Sequence, residues 1–179
     1  MNPEFCEFLA ENEWVKIKPN FNTNVFQLIC GDIGPFEAGM PVSVPLWVAV
    51  FLKKKHSCEI ILPEWLTLEN LGKMIVAEND SANLTPVPRH FLEMAYIILR
   101  YFKNDIADGD QLKTCVLDLW DKRVAKMRST TIKFLSQVDS CHSRLDNITP
   151  FEISYCKPSV LNALKTTDEL FSNFRNLMS

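Results

Sequence analysis

The chain has 179 residues, of which 47% are hydrophobic and 11% aromatic, and it carries a formal net charge of −3 at pH 7. This composition excludes an intrinsically disordered protein, and the length allows one sizeable core or two small cores that support each other. The acidic balance argues against a domain that binds nucleic acid on its own, because such domains usually carry a basic excess.

The start of the chain and its cysteines predict the cellular compartment. Residues 1–4 lack the positive patch and apolar run of a secretory signal, and the longest apolar run, Val44 to Leu52, is far too short to cross a bilayer. Six cysteines without close pairs are typical of reduced thiols in the cytosol or nucleus. We therefore expect an intracellular chain with no membrane contact and no disulfides.

The first third of the chain predicts a short helix followed by strands. Phe5–Glu11 has a helical pattern, and Trp14–Lys18 alternates apolar and polar residues as a half-buried strand does. Gly31–Gly34 predicts a turn, and the pattern of Leu46–Lys54 fits either a strand or a helix. Further strands are expected at Val25–Ile29, Met40–Val44 and Cys58–Leu62. We expect the Met40–Val44 strand to be short or to lie at a sheet edge, because Pro41 and Pro45 flank it.

These patterns define a small β-rich domain with a short N-terminal helix over residues 1–62. A domain of about 60 residues has a marginal core of its own. We therefore expect this domain to pack against a neighbouring domain or chain. The contact between the two domains is expected to be formed by Pro45, Leu46, Trp47 and Trp65.

From residue 63 to 179 the patterns are helical. Thr67 is expected to cap a helix that runs to about Ala77, with Asn79–Asn83 as an exposed loop. The next helix, Arg89–Lys103, is apolar over most of its circumference, so it must be covered on several sides. Two explanations remain open: it is the central helix of the chain's own bundle, or part of it packs against another chain.

The longest predicted helix runs from Asp110 to about Val138. Arg123 falls inside its apolar arc, between Leu119 and Met127, where an unpaired charge would be strongly unfavourable. We expect Arg123 to form a buried ion pair, either within the chain or with a partner.

The last part of the chain predicts two further helices. Thr149-Pro150-Phe151-Glu152 has the residues of a capping box, with proline at the first helical position. Lys157-Pro158 is expected to end that helix, and a final amphipathic helix to follow from Val160 to Met178. The predicted fold class is mainly α with a small N-terminal β-rich module (α+β), ending in a helical bundle.

No residue pattern predicts chemistry. The five glycines never cluster as a phosphate-binding loop requires, and the His–Cys pairs at 56/58 and 141/142 lack a second pair at zinc-ligand spacing. We therefore predict no catalytic residues, no metal and no cofactor. The basic run Lys53–Lys55 is interpreted as the solvated end of an element, with a phosphate or partner contact as the alternative.

A set of short segments resembles a known family. In chain order they are Phe8–Glu11, Pro19–Phe21, Gly31–Phe36, Pro41–Trp47, Pro63–Trp65, Asp118–Arg128 and Leu145–Thr149. Each segment is weak evidence alone, but their order along nearly the whole chain closely resembles the second subunit of the GINS complex of eukaryotic DNA replication.

The resemblance implies a non-catalytic subunit of a heterotetramer. Its partners would be three sister GINS subunits, and the tetramer would join the MCM ring and a bridging replication factor as a scaffold of the replicative DNA helicase, at initiation and elongation. The expected location is the nucleus, and DNA would be contacted only indirectly. The competing hypothesis is an autonomous single-stranded nucleic-acid-binding module that uses the β-rich domain and Lys53–Lys55.

Obligate interfaces resemble a domain core cut in half, so we looked for large side chains that partners would help to bury. The candidate interface or core anchors are Phe91, Met94, Ile98, Tyr101, Trp120 and Arg123.

Overall fold

A computed structural model describes residues 3–29, 31–55, 58–136 and 146–177, and it confirms the predicted fold class. A small β-rich region comes first and long helices follow. The elements are α1 (Pro3–Ala10), β1 (Trp14–Pro19), β2 (Phe26–Leu28), β3 (Gly31–Ile33), β4 (Val42–Pro45), α2 (Leu46–Lys54), β5 (Cys58–Ile61), α3 (Leu68–Asp80), α4 (Phe91–Tyr101), a 3-10 helix (Lys103–Asp105), α5 (Gly109–Ser136) and α6 (Pro150–Leu177). None of the helices in the described part of the chain is long and apolar enough to cross a membrane.

Strand β1 is the centre of a three-stranded antiparallel sheet, with β4 on one side and β5 on the other. Its side chains alternate between exposed and buried, and Val15 and Ile17 point into the core. This is the pattern expected of a strand with one solvated face. The proline-flanked strand β4 lies at the sheet edge, where a missing backbone N–H costs no ladder hydrogen bond.

The segment Gly31–Gly34, predicted as a turn, is largely a strand. Residues Gly31–Ile33 form β3 and pair antiparallel with β2, so the turn lies before Gly31. Gly31 has a φ of +125°, which glycine adopts readily where the chain reverses. Ile33 is buried as part of the hydrophobic core.

The ambiguous run Leu46–Lys54 is helix α2. Its first backbone N–H groups are bonded by the loop after α1: Leu46 N donates to Glu13 O (2.9 Å) and Trp47 N to Glu11 O (3.0 Å). These groups have no partner within a helix, so tertiary contacts complete its first turn. Periodicity alone could not reveal those contacts.

The predicted cap of α3 is present, since Thr67 Oγ1 accepts a hydrogen bond from Asn70 N at 3.3 Å. The helix extends three residues beyond the predicted end at Ala77, so Asn79 and Asp80 are helical and are not part of a loop. Helix α4 is shorter than predicted because the chain passes into the 3-10 turn after Phe102. The predicted end of the next helix at Val138 lies outside the described residues.

Helix α6 begins with a capping box, as predicted. Glu152 N donates to Thr149 Oγ1 (3.3 Å), and Thr149 N donates to Glu152 Oε2 (2.8 Å). The predicted interruption at Lys157-Pro158 is wrong, because the helix continues through Pro158 to Leu177. Pro158 is exposed, so its ring meets solvent and does not disturb a packed neighbour. The side chains of Phe171 and Phe174 and the whole of Met178 lie outside the described residues.

One hydrophobic core runs through both predicted domains. It joins Val15, Ile17 and Val44 of the sheet to Ile98 and Phe102 of the helical region. Helix α1 adds to this junction by packing against α4 and α6. A smaller cluster, built around Leu84, Val124 and Met127, lies between α5 and α6. The β-rich region thus shares its interior with the helices.

Candidate interaction surfaces

Arg123 of α5 is fully buried and forms a bidentate salt bridge with the Glu152 carboxylate of α6. Its Nε lies 2.6 Å from Glu152 Oε1, and its Nη2 lies 3.0 Å from Oε2. Two parallel bonds of this kind fix the guanidinium plane as well as its position. Glu152 is also the capping-box residue, so one carboxylate caps α6 and neutralises the arginine.

A second carboxylate, Glu78 of α3, completes the cluster. It accepts from Arg123 Nη1 at 3.2 Å and from Thr85 N at 3.1 Å, and Lys126 Nζ lies 2.8 Å from its Oε1. Burial acts to raise the pKa of Glu78, but hydrogen bonds from Lys126 and Thr85 and the charge of Arg123 outweigh it, so the pKa lies below its ordinary value. Glu78 is therefore held ionised.

The Arg123 cluster ties three separate parts of the chain together. Arg123 also donates to the carbonyl oxygens of Thr85 (2.8 Å) and Asn147 (2.7 Å), which lie in the segments that precede α4 and α6. Both partners of the predicted ion pair belong to this chain. Because Arg123, Glu78 and Glu152 are closed to solvent, the cluster fixes the fold and offers nothing to a ligand.

An apolar groove lies on the outside of the helical region, between α4 and α5. Two adjoining depressions of about 400 and 480 Å³ share Leu92, Tyr96 and Leu117, so they form one continuous surface. Tyr96 and Leu117 are 56% and 46% exposed. We call this surface the helical groove; its apolar lining is Leu92, Tyr96, Leu99, Val116, Leu117, Trp120, Phe151 and Tyr155.

The two ends of the helical groove carry opposite charges. Arg100 and Lys113 line one end. Glu7 of α1 and Glu93 of α4 line the other, where Pro3 and Glu4 also lie.

Glu93 is unusual at this site because it is only 5% exposed. Its Oε1 lies 3.2 Å from His90 Nδ1, whereas its buried Oε2 has no hydrogen-bond partner among the described residues. Burial raises the pKa of the Glu93 carboxyl, and its interaction with His90 only partly offsets this.

A second apolar surface lies on the β-rich region, between the β2–β3 hairpin and α2. This β-module cleft, of about 610 Å³, is lined by aromatic side chains that include Phe21, Phe26, Trp47 and Phe51. Trp47 and Phe51 are partly exposed there. The chain thus leaves apolar surface uncovered in both regions.

The lysines of the basic run lie against the chain itself. Lys53 Nζ is 2.6 Å from Asp105 Oδ1, Lys54 Nζ lies 5.2 Å from the centre of the Tyr101 ring, and Lys55 Nζ lies 4.8 Å from that of Phe51. Cation–π contacts of this kind hold a charge near a ring face. The run therefore does not form an open row of cations along a strand.

The structure places the predicted anchors in different environments. Phe91, Met94 and Ile98 are buried within the chain, and Tyr101 packs half-buried on the same core. Trp120 lines the helical groove, with its ring edge-on to those of Phe151 and Tyr155.

Two of the predicted interdomain residues lie at the shared core: Leu46 is part of it, and Trp65 packs against it half-buried. Pro45 is buried, whereas Trp47 lines the β-module cleft. Sequence reasoning missed Tyr96 of α4 and Leu117 of α5 as surface-contact candidates. Each is an apolar side chain on a helix face that is otherwise occupied by polar residues, and that pattern could have identified them. No group of three or more potential metal ligands comes together among the described residues.

Comparison with known proteins identifies relatives along the full chain. A family model described as the PSF2 N-terminal domain matches residues 2–61, and one described as the GINS complex protein helical bundle domain matches residues 65–171. The two matches follow the order of the structure, with strands first and helices second.

Individual relatives cover almost all of the sequence. The "Probable DNA replication complex GINS protein PSF2" of Brugia malayi is 50% identical over 179 residues, which is 100% of this chain and 94% of that protein. The human "DNA replication complex GINS protein PSF2" is 39% identical over 180 residues, or 100% of this chain and 97% of its own. A Caenorhabditis elegans protein with the same name as the Brugia relative is 38% identical over 161 residues, 89% of each chain.

Proposed function

The chain belongs to the PSF2 family of GINS complex proteins, and from this membership we propose that it is a non-catalytic structural subunit of a heterotetrameric GINS complex. Its partners in the tetramer are three sister subunits. Through the tetramer it joins the MCM ring and a bridging replication factor, and it scaffolds the replicative DNA helicase in the nucleus.

The match of both family models along one chain carries this proposal. The surface of the molecule supports it in physical terms. The helical groove and the β-module cleft expose aromatic and aliphatic side chains on two sides, and exposed apolar patches of this kind mark sites of protein–protein contact.

A structural role also fits the placement of the ionisable groups. The Arg123 cluster is buried inside the chain, where its salt bridges connect α3, α5 and α6. A catalytic group must reach its substrate. These groups instead contribute rigidity to a subunit whose surfaces make contacts.

The placement of the basic run does not favour direct nucleic-acid binding. Lys53 is engaged with Asp105, and the exposed Lys54 and Lys55 lie over aromatic rings of the chain. Sequence-independent binding to a phosphate backbone requires several free cations along one surface.

Co-expression with the three sister subunits tests the proposal. We expect a stable complex with one copy of each chain, measured by size-exclusion chromatography with light scattering and by native mass spectrometry. The chain expressed alone should self-associate or be recovered poorly. A monomer that stays soluble and does not co-purify with any sister subunit would contradict the proposal.

A further inference from the structure

Helix α1 is attached to the rest of the molecule by few side chains. Its buried residues are Cys6 and Ala10, which are both small, whereas Phe5 and Phe8 remain 50% and 60% exposed. A helix of eight residues is not stable by itself in water, so α1 keeps its shape only while it packs against α4 and α6. Segments with few buried contacts are the ones that open locally at a low free energy.

The segment that follows α1 is held in place. The carbonyl oxygens of Glu11 and Glu13 accept hydrogen bonds from Trp47 N (3.0 Å) and Leu46 N (2.9 Å) at the start of α2. Trp14 then begins β1, the central strand of the three-stranded sheet. An opening of α1 would therefore end at about residue 11 and would leave the sheet intact.

Helix α1 covers a group of buried polar side chains, which we call the α1 cluster: Cys6, His90, Glu93 and Ser154. His90 and Glu93 of α4 are 4% and 5% exposed, and Ser154 of α6 is also buried. Burial, and then the nearby charge of Glu93, raise the pKa of the Cys6 thiol, whereas the side chain of Ser154 lowers it. Cys6 thus lies close to both, and α1, α4 and α6 meet at this cluster.

The environment of Glu93 disfavours its charged form. Burial raises the pKa of the Glu93 carboxyl, and the negative charge of Glu152 on α6 adds to this rise. The backbone N–H of Glu93 and the ring of His90 offset only part of it. Glu93 Oε2 has no hydrogen-bond partner among the described residues. A carboxylate is therefore costly at this position, whereas the neutral acid is tolerated.

The other elements packed around Glu93 bring no further positive charge among the described residues that line its depression. Glu4 and Glu7 of α1 lie there and are acidic, and α5 contributes the side chains of Leu117 and Trp120. The charge of an ionised Glu93 is therefore best compensated by water. Water reaches the carboxylate when α1 moves away from α4 and α6.

We propose that α1 is a proton-controlled strap, which closes over Glu93 while this carboxyl is protonated and opens more often once the proton has passed to solvent. Because Pro3, Glu4 and Glu7 form one wall of the helical groove, each opening of α1 also removes that wall. The strap is a property of the chain itself and does not depend on the proposed function.

The direction of the pH dependence follows from the two forms of the strap. The closed form binds the proton more tightly than the open form, in which Glu93 meets solvent and its pKa returns toward the ordinary value of 4.5. The open fraction of α1 therefore rises as the pH rises above 4.5, and it becomes constant once the closed form is ionised as well.

Hydrogen exchange of the full-length chain between about pH 4 and pH 7.5, measured by NMR or mass spectrometry, tests the strap. After correction for the intrinsic pH dependence of exchange, we expect the protection of the α1 amides to fall with pH by up to about tenfold per unit, the limit for one linked proton. The α1 amides should also be less protected than those of β1 at every pH. Equal protection would mean that α1 opens only when the whole chain unfolds.

The variant Glu93→Gln keeps this side chain neutral at every pH. Its α1 amides should lose the fall in protection, whereas Asp118→Asn, which removes an exposed carboxylate on α5, should retain the wild-type profile. Alkylation of Cys6 is a second readout, because this thiol is buried on α1. At pH 7, N-ethylmaleimide should modify Cys6 more slowly in Glu93→Gln than in wild type, with the partly exposed Cys115 as the internal reference.

Two results would overturn the proposal. The first is a protection of the wild-type α1 amides that does not change with pH or that equals the protection of β1, and this comparison needs no variant to fold. The second is a pH profile in Glu93→Gln that matches wild type, which would assign the opening of α1 to another group.

Discussion

At position 123 the side chain uses every hydrogen-bond donor that an arginine has. Its five N–H groups meet Glu152 twice, Glu78 once and the carbonyl oxygens of Thr85 and Asn147. A lysine has three donors on one nitrogen and cannot form the planar pair with Glu152. The residue type at this position therefore follows from the geometry of its acceptors.

We expect Arg123→Met to lower the free energy of unfolding by about 3–5 kcal/mol, because it leaves the buried Glu152 carboxylate without its counter-charge and takes one of two cations from Glu78. Urea denaturation followed by circular dichroism measures the loss. Arg128→Met is the matched control on the same helix: Arg128 is exposed and donates to the Tyr155 hydroxyl at 3.3 Å, so its loss should cost less than about 0.5 kcal/mol. Equal losses for the two variants would show that the Arg123 cluster does not stabilise the fold.

Two of the buried glutamates, Glu78 and Glu93, predict opposite dependences of stability on pH. The pKa of Glu78 lies below its ordinary value of 4.5, so its contribution is complete above that pH and is lost as the pH falls through the folded value. Burial raises the pKa of Glu93 above 4.5, so its contribution is present at low pH and is lost as the pH rises through the folded value.

Stability measured against pH distinguishes these two contributions. Relative to wild type, Glu78→Gln should flatten the curve below pH 4.5, although it lowers stability overall by removing a buried ion-pair partner. Glu93→Gln should instead flatten the decline above pH 4.5. Urea titrations between pH 3 and pH 7 provide the data, and identical slopes in the two variants would contradict the assignment.

At the scale of one element, helix α6 has a well-capped N-terminus but carries a proline in its interior. Its capping box satisfies backbone groups of the first turn, whereas Pro158 removes the hydrogen bond that residue 158 would donate to the carbonyl of Ser154. The helix continues because its first turns are held by Glu152, which is bonded to Arg123, and by the packing of α1.

Replacing this proline should strengthen the helix. We expect Pro158→Ala to raise the free energy of unfolding by about 1–3 kcal/mol, up to the intrinsic cost of proline in a helix interior. Thermal unfolding monitored at 222 nm measures the change, with the exposed Ser159→Ala as the neighbouring control. If Pro158→Ala is neutral or destabilising, the proline has been accommodated without cost.

The elements that the sequence predicted well are those with local causes. The alternation of Trp14–Lys18, the cap at Thr67 and the capping box at Thr149 depend on neighbours within a few residues, and the structure has all three. The helix at Leu46–Lys54 and the continuation through Pro158 depend on distant segments, so local patterns could not decide them.

The surfaces of the whole molecule were the hardest features to predict. The helical groove exists only because Tyr96 and Leu117, 21 positions apart, meet where two antiparallel helices lie side by side. The position of Arg123 on its own helix was enough to predict that it forms a buried ion pair. Its partners could not be predicted in this way, because Glu78 comes from α3 and Glu152 from α6. Single-helix patterns show which residues are apolar and do not show which of them remain uncovered.

The shared core makes the β-rich region dependent on the helices that follow it. Val15, Ile17 and Val44 belong to the same buried cluster as Ile98 and Phe102. Helices α1 and α2 pack against α4, so cutting the chain after residue 62 would expose the apolar sides of α1 and α2 that α4 covers. A single core in a chain below about 70–80 residues rarely supplies more than 3–5 kcal/mol, and this fragment would lose part of that core.

We therefore expect a fragment of residues 1–62 to lack a cooperative thermal transition and to give a poorly dispersed amide spectrum in heteronuclear NMR. The full-length chain under the same buffer and temperature is the reference. A second comparison strengthens the test: Ile98→Ala in the full chain, which thins the shared core from the helical side, should broaden or shift amide resonances of Val15 and Ile17 because they lie in the same cluster. A dispersed spectrum for the fragment, matching the β-rich resonances of the full chain, would mean that the sheet folds by itself and that the common interior is a contact between two independent units.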